Sequence, residues 1–328
     1  MPTRRLRTGK GPVRLTSSSS DPDTNRKPRR WEEYSIRPFE LSIVPPVNIF
    51  HPKKKVIIGL SLNVPYGKAN SVYGLELGVA LNRETEDFGG IQLSAGGNWV
   101  HRDAYGLQIA GILNWMGGHM YGIQIAGAVN MSKGACFGIC LAGFYQWHEW
   151  LRGLQLAMGL NGVREGGKGI QIGGGNASNG WYSGIQLSLI FNMVTRGFHG
   201  FQLSSFNWNN TSWFRSTGTR YQVTYHDDSS GVQLGILFNS TYGFTGLQIS
   251  GMVNITDGYM DGIQLAQMNF SDDVNGVQVG LLNTADEVKG IQIGVVNVCT
   301  RLKGLQIGAI NVATKNKLPF MVLLLLGY

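Results

Sequence analysis

The chain has 328 residues with a formal charge of +8, 43% apolar residues, only 15% charged ones and 47 Gly. So low a charged fraction is poor in the solvated side chains of a freely soluble surface, and glycine stands at about twice its usual share. The positive charge is local: residues 1–31 hold nine cations, Arg4, Arg5, Arg7, Lys10, Arg14, Arg26, Lys27, Arg29 and Arg30, against Asp21 and Asp23, a net of +7. The rest of the chain is therefore nearly neutral, and no specific nucleic-acid partner is expected.

Residues 1–36 read as a disordered basic tail, polar and poor in apolar side chains, with a Ser17 to Ser20 run. Such an arm is solvated or touches anionic surfaces. The first 30 residues lack the apolar stretch of a secretory signal, and no run of about 18 apolar residues suits a membrane helix. Residues 37–66 are strand-like, broken by Pro45 and Pro46, and suit an N-terminal cap.

From residue 67 to 315 the chain repeats itself. Units begin at Gly74, Gly90, Gly106, Gly122, Gly138, Gly153, Gly169, Gly184, Gly200, Gly231, Gly246, Gly262, Gly276, Gly290 and Gly304. Each has the form Gly-φ-Gln-φ-(Ala/Gly)-φ-φ-Asn-φ (φ, apolar), followed by a few turn residues. The Gln is replaced by Glu76 and Cys140 in two units. Gly200 and Gly231 lie twice the usual distance apart, which predicts a degenerate copy over residues 208–230. Apolar residues on both sides of Gln indicate period 2 and hence strand. Glycine at every unit argues against helix, at roughly 1 kcal/mol each.

Two architectures use such units. In a β-solenoid of about sixteen coils of 14–16 residues, equivalent positions stack about 4.8 Å apart, and side-chain amides, having both donor and acceptor, bond along the stack. The predicted ladder comprises Gln92, Gln108, Gln124, Gln155, Gln171, Gln186, Gln202, Gln233, Gln248, Gln264, Gln278, Gln292 and Gln306, with Asn98, Asn114, Asn130, Asn161, Asn192, Asn239, Asn254, Asn297 and Asn311. The alternative is an antiparallel outer-membrane-type β-barrel, whose strands of about 9 to 11 residues would turn Gln108 and Asn114 to the lumen. Parity favours the solenoid. Gly106 to Asn114 is an eight-residue step and Gly290 to Asn297 a seven-residue one. In a continuous strand that change turns Asn to the opposite face, whereas a corner between two short strands absorbs it. Residues 316–328 are expected to cap the far end.

"ELSIVPPVNIF", "GLSLNVPYGKANSVYGLELGVALN", the tandem units and the closing "LPF" segment together resemble bacterial surface-repeat proteins over about residues 39–328. The resemblance implies an exported protein, at the cell surface or associated with the outer membrane, without known enzymatic activity and with envelope components as partners. A basic tail stands where the resemblance would place an export signal.

Chemical motifs are sparse. The six His are scattered without metal-ligand spacing, and Cys136, Cys140 and Cys299 read as small core residues, so no metal, cofactor or catalytic set is expected. "QWHEW" at 146–150 reads as a turn carrying amphipathic residues, and "GGGN" at 173–176 as a tight corner. The segment between Gly200 and Gly231 gathers aromatic residues, and Trp208, Trp213, Tyr221 and Tyr225 make a candidate partner surface. The plainer reading is a decayed coil with its aromatics packed on the rod.

Overall fold

The computed structural model describes residues 34–42, 55–209 and 228–327. Most of the basic tail, Pro45 and Pro46 of the N-terminal cap, and the candidate partner residues Trp213, Tyr221 and Tyr225 lie outside them.

The chain winds as an all-β solenoid of about 15 turns. Each turn carries one limb through the Gly-φ-Gln segment and a second through Asn. Ala104–Ala110 and Leu113–Met116 are one such pair, Met120–Ala126 and Val129–Ser132 the next. Equivalent limbs pair in parallel, with Gly106 opposite Gly122 and Gln108 opposite Gln124. Asn114 lies opposite Asn130 in the same way. Consecutive Gln segments of a barrel would run antiparallel, so this register overturns that alternative. Among the described residues the antiparallel pairing is that of the last strand, Phe320–Gly327, which closes the end by lying against Val296–Ala313 with Leu325 over Gln306.

Glycine makes the coil possible. The repeat glycines all have φ between 115° (Gly106) and 154° (Gly74), a region that side chains rarely enter. A Cβ on Gly106 would also run into the carbonyl oxygen of Gly90 one coil below. Glycine therefore bends the chain and lets two backbones approach at the same point.

The change in spacing is absorbed at the turn between limbs. Gly173 pairs with Ser188 and Gly175 with Phe191, so one residue on one rung faces two on the next, and Asn176 still meets Asn192. The gap after Gly200 behaves differently from expectation. Gly231 pairs directly with Gly200, and Asn239 with Asn207, so no extra coil is inserted between these rungs.

The interior is thin and mixed. Three apolar clusters, around Phe88 with Met116 and Met120, Leu151 with Tyr182 and Phe198, and Phe244 with Met260 and Leu302, share it with the amides. Apolar and amide columns alternate around each turn, so every coil buries its own polar groups against neighbouring coils.

Candidate functional site

Two columns of buried amides run the length of the rod. Gln108 Nε2 donates to Gln92 Oε1 at 2.7 Å and Gln124 Nε2 to Gln108 Oε1 at 3.1 Å, so the Gln column donates toward the N-terminus. Asn98 Nδ2 donates to Asn114 Oδ1 at 2.9 Å and Asn114 Nδ2 to Asn130 Oδ1 at 3.0 Å, toward the C-terminus. The second N–H is used in most of the Asn column and in some members of the Gln column. Asn114 takes the main-chain carbonyl of Ile125 at 2.7 Å, while Gln264 takes Thr256 Oγ1 at 2.9 Å.

All the predicted ladder residues are buried. The Asn column also contains Asn63, Asn82, Asn176, Asn207, Asn269 and Asn283, with Gln146 in place of Asn in one coil. Asn176, Asn207, Asn269 and Asn283 each follow their Gly by seven residues, the spacing that could have found them.

Glu76 takes the Gln place in an early coil and accepts from Gln92 Nε2 at 2.8 Å and Asn63 Nδ2 at 2.8 Å. Glu84, fully buried beside it, has its carboxyl raised well above the usual range by burial first and by the Glu76 carboxylate second.

The outward face of the Gly-to-Asn half is mostly apolar, with Gln267 an exposed polar exception. Residues on both sides of each Gln point outward, as with Ile123, 39% exposed, and Ile172, 37%. The turn beyond carries Ile112, Phe144, Met158 and Leu189, exposed by 61%, 69%, 77% and 78%. From Gly90 to Asn311, no Asp, Glu, Lys, Arg or His stands in the Gly-to-Asn half of any unit. The charges lie in the other half of each coil, as with Arg102, Lys133, Lys168 and Lys303.

That charged half is laced with stacks and ion pairs. Tyr105 lies on Tyr121 at 5.0 Å and Tyr121 on Phe137 at 4.9 Å. A recess of about 310 Å³ is lined by Tyr259, Asp261, Asp273, Glu287 and Lys289 among others. Glu287 there accepts Lys303 at 2.9 Å and Arg301 at 3.0 Å, and these cations hold its carboxyl below the ordinary range. Its charge is already answered from within the rod.

One coil departs from the rest. Cys140 stands in the Gln column, Gln146 in the Asn column, and Cys136 and His148 are inward residues beside them, with Ala142 at the small-residue position. Cys136 and Cys140 are joined as a disulfide, which corrects their reading as separate core residues. His148 is fully buried, burial lowers its pKa to about 3, and neither ring nitrogen finds a hydrogen-bond partner. Glu149, the next residue along, is half-buried, and "QWHEW" lies inside the strand Tyr145–Ser178 and not in the turn expected for it. Cys299, also buried, has its thiol pushed up to about 12.

Of the candidate partner residues, the described one, Trp208, packs on the rod against Phe206 at 5.9 Å and Phe238 at 5.7 Å. Compared with known proteins, the chain matches no family model, no curated protein and no solved structure.

Proposed function

We propose that this protein is a non-enzymatic structural rod of the bacterial envelope, which lies on the outer-membrane lipid surface by its charge-free face. One observation carries the reading: the half of each coil between Gly and Asn is mostly apolar outside and without charge from Gly90 to Asn311.

The size of that face supports a partner. About 15 turns at about 4.8 Å give a length of roughly 70 Å, and five extended residues at about 3.3 Å give a width of roughly 16 Å. The product, about 1,100 Å², exceeds the few hundred Å² of apolar patch that a soluble monomer normally exposes.

Lipid fits better than a protein partner on two counts. The face is built mainly from repeated aliphatic residues at a regular pitch, and it has few of the polar groups that give protein interfaces their specificity, Gln267 being an exposed one. The segment 1–31 brings a net +7, which suits an anionic headgroup layer and would add to apolar burial. The resemblance to bacterial surface-repeat proteins points to the same compartment.

Flotation with lipid vesicles tests the reading. The full chain should float with vesicles containing phosphatidylglycerol and, more weakly, with neutral phosphatidylcholine vesicles. A chain that stays monomeric and floats with neither would overturn it. Formation of a discrete dimer in lipid-free buffer, again without flotation, would assign the face to a second copy instead.

A further inference from the structure

The coil from Cys136 to His148 replaces amides by metal-ligating side chains at one level of the rod. The Sγ atoms of Cys136 and Cys140 and a ring nitrogen of His148 all lie within 4.8 Å of one another, and all three residues are buried. Gly138, with φ 139°, bends the strand between the two cysteines and brings their Cα atoms to 6.9 Å. That separation is at the wide end of what a disulfide spans.

In the disulfide form the polar neighbours are poorly served. Gln155 Nε2, which the ladder aims at the Cys140 position, has no acceptor, and His148 has no partner at either nitrogen. Gln124 Oε1 faces Cys140 Sγ at 3.9 Å, but an oxidised sulfur has no hydrogen to donate. Buried polar groups left without partners destabilise the fold, and so many around one disulfide point to an absent occupant.

We propose that in the reduced chain Cys136, Cys140 and His148 bind one thiophilic divalent ion of the Zn2+ type inside the rod, with Gln124 Oε1 as the fourth ligand. Two thiolates and a neutral imidazole are the donor set that such an ion selects. Tetrahedral bonds of about 2.3 Å to sulfur and about 2.0 Å to nitrogen or oxygen require ligand atoms roughly 3.5 to 3.8 Å apart. The side chains reach that arrangement by small rotations once the S–S bond is gone. A Cys140 thiolate also gives Gln155 Nε2 the acceptor that it lacks. The site is sealed, so the ion enters as the coil folds.

The chemistry balances with a dithiol as reductant. It breaks the Cys136–Cys140 bond, becomes a cyclic disulfide itself, and leaves two Cys thiols. Each thiol gives its proton to solvent when the ion binds. Oxidation by a disulfide-forming oxidant reverses both steps and expels the ion.

The test uses the full chain, refolded anaerobically with dithiol and Zn2+, then desalted through a chelator. Zinc should remain at about one per chain, with two sulfurs in its X-ray absorption shell. Cys299→Ser should retain it. Cys140→Gln restores the residue of the repeat, so it should fold and melt cooperatively, yet hold less than a tenth of the zinc. Peroxide should release the zinc from the unaltered chain with loss of two thiols. Reduced chain that keeps its thiols but no zinc overturns the proposal, and so does equal zinc in Cys140→Gln.

Discussion

Asn114 Nδ2 donates to the main-chain carbonyl of Ile125, one coil further on, at 2.7 Å. Ile125 lies next to the turn between limbs, and the equivalent carbonyl of Val279 takes both the main-chain N–H of Ala266 at 3.1 Å and the Asn269 amide at 2.9 Å. The Asn114 amide thus adds a side-chain donor to the ladder while its other N–H goes to Asn130. This is why Asn recurs there: its short side chain reaches a carbonyl and the next amide together. Asn114→Leu should strip a donor from Ile125 and Asn130 and an acceptor from Asn98, costing about 2 to 5 kcal/mol. Gln124→Leu, one column over, should cost about 1 to 3 kcal/mol. Urea denaturation of both variants measures this, and unchanged midpoints would contradict the ladder.

The Gly column makes a sharper demand. Gly106→Ala forces a side chain into φ 115° and against the carbonyl of Gly90. A loss of at least about 2 kcal/mol is expected, read as a lower midpoint in thermal melting. Ala110→Gly, at an inward position that the repeat fills with either residue, should cost less, about 1 kcal/mol.

The coil was legible because amides and glycines at fixed spacing have no other use among aliphatic residues, and the change of parity told solenoid from barrel. Other features were hidden for physical reasons. Asn176 and Asn207 were not hidden in this way: they stand at the same seven-residue step as Asn297 and Asn311, and that spacing would have placed them in the ladder. The Cys136–Cys140 bond was invisible because residues four apart in a regular strand lie about 13 Å apart, and only the bend at Gly138 closes the distance. The direct pairing of Gly200 with Gly231 cannot be read from spacing, since an excursion between rungs and an extra coil consume the same length of chain.

The acid pair at the N-terminal end sets a pH dependence. Glu84 has a raised pKa in the folded state, so the unfolded chain gives up this proton first as pH rises. Its contribution to stability is full below the ordinary carboxyl range near 4.5, and is lost on climbing toward the raised value at about 1.4 kcal/mol per pH unit. Glu84→Gln keeps the shape and removes the titration. The variant should melt higher than the parent at pH 8 and no higher at pH 4. Parallel curves at both pH values would refute the assignment.

Residues 210–227 lie between rungs that already pair with each other, Gly200 on Gly231 and Asn207 on Asn239. Replacing this segment by a short Gly-Ser linker should leave the solenoid intact, because neither amide column passes through it. Loop closure changes only slowly with length, by about 0.6 kcal/mol per halving. The melting midpoint should therefore shift by only a few degrees. A collapse of cooperative melting would show that the segment supports the rungs on either side.

The charge-free face separates folding from attachment, and substitutions there should show it. Ile112 and Leu189 are 61% and 78% exposed at the turn between limbs, so Ile112→Glu with Leu189→Glu removes little buried contact. Stability should stay within about 0.5 kcal/mol of the parent for each change. Vesicle binding should fall much further, because a carboxylate pressed against acyl chains must be desolvated or held away from them, and either weakens contact over the neighbouring coils. At least a tenfold loss of flotation with phosphatidylglycerol vesicles is expected, against no loss for Lys168→Glu in the charged half. If the two sets of variants float alike, the apolar columns are not the surface that meets lipid.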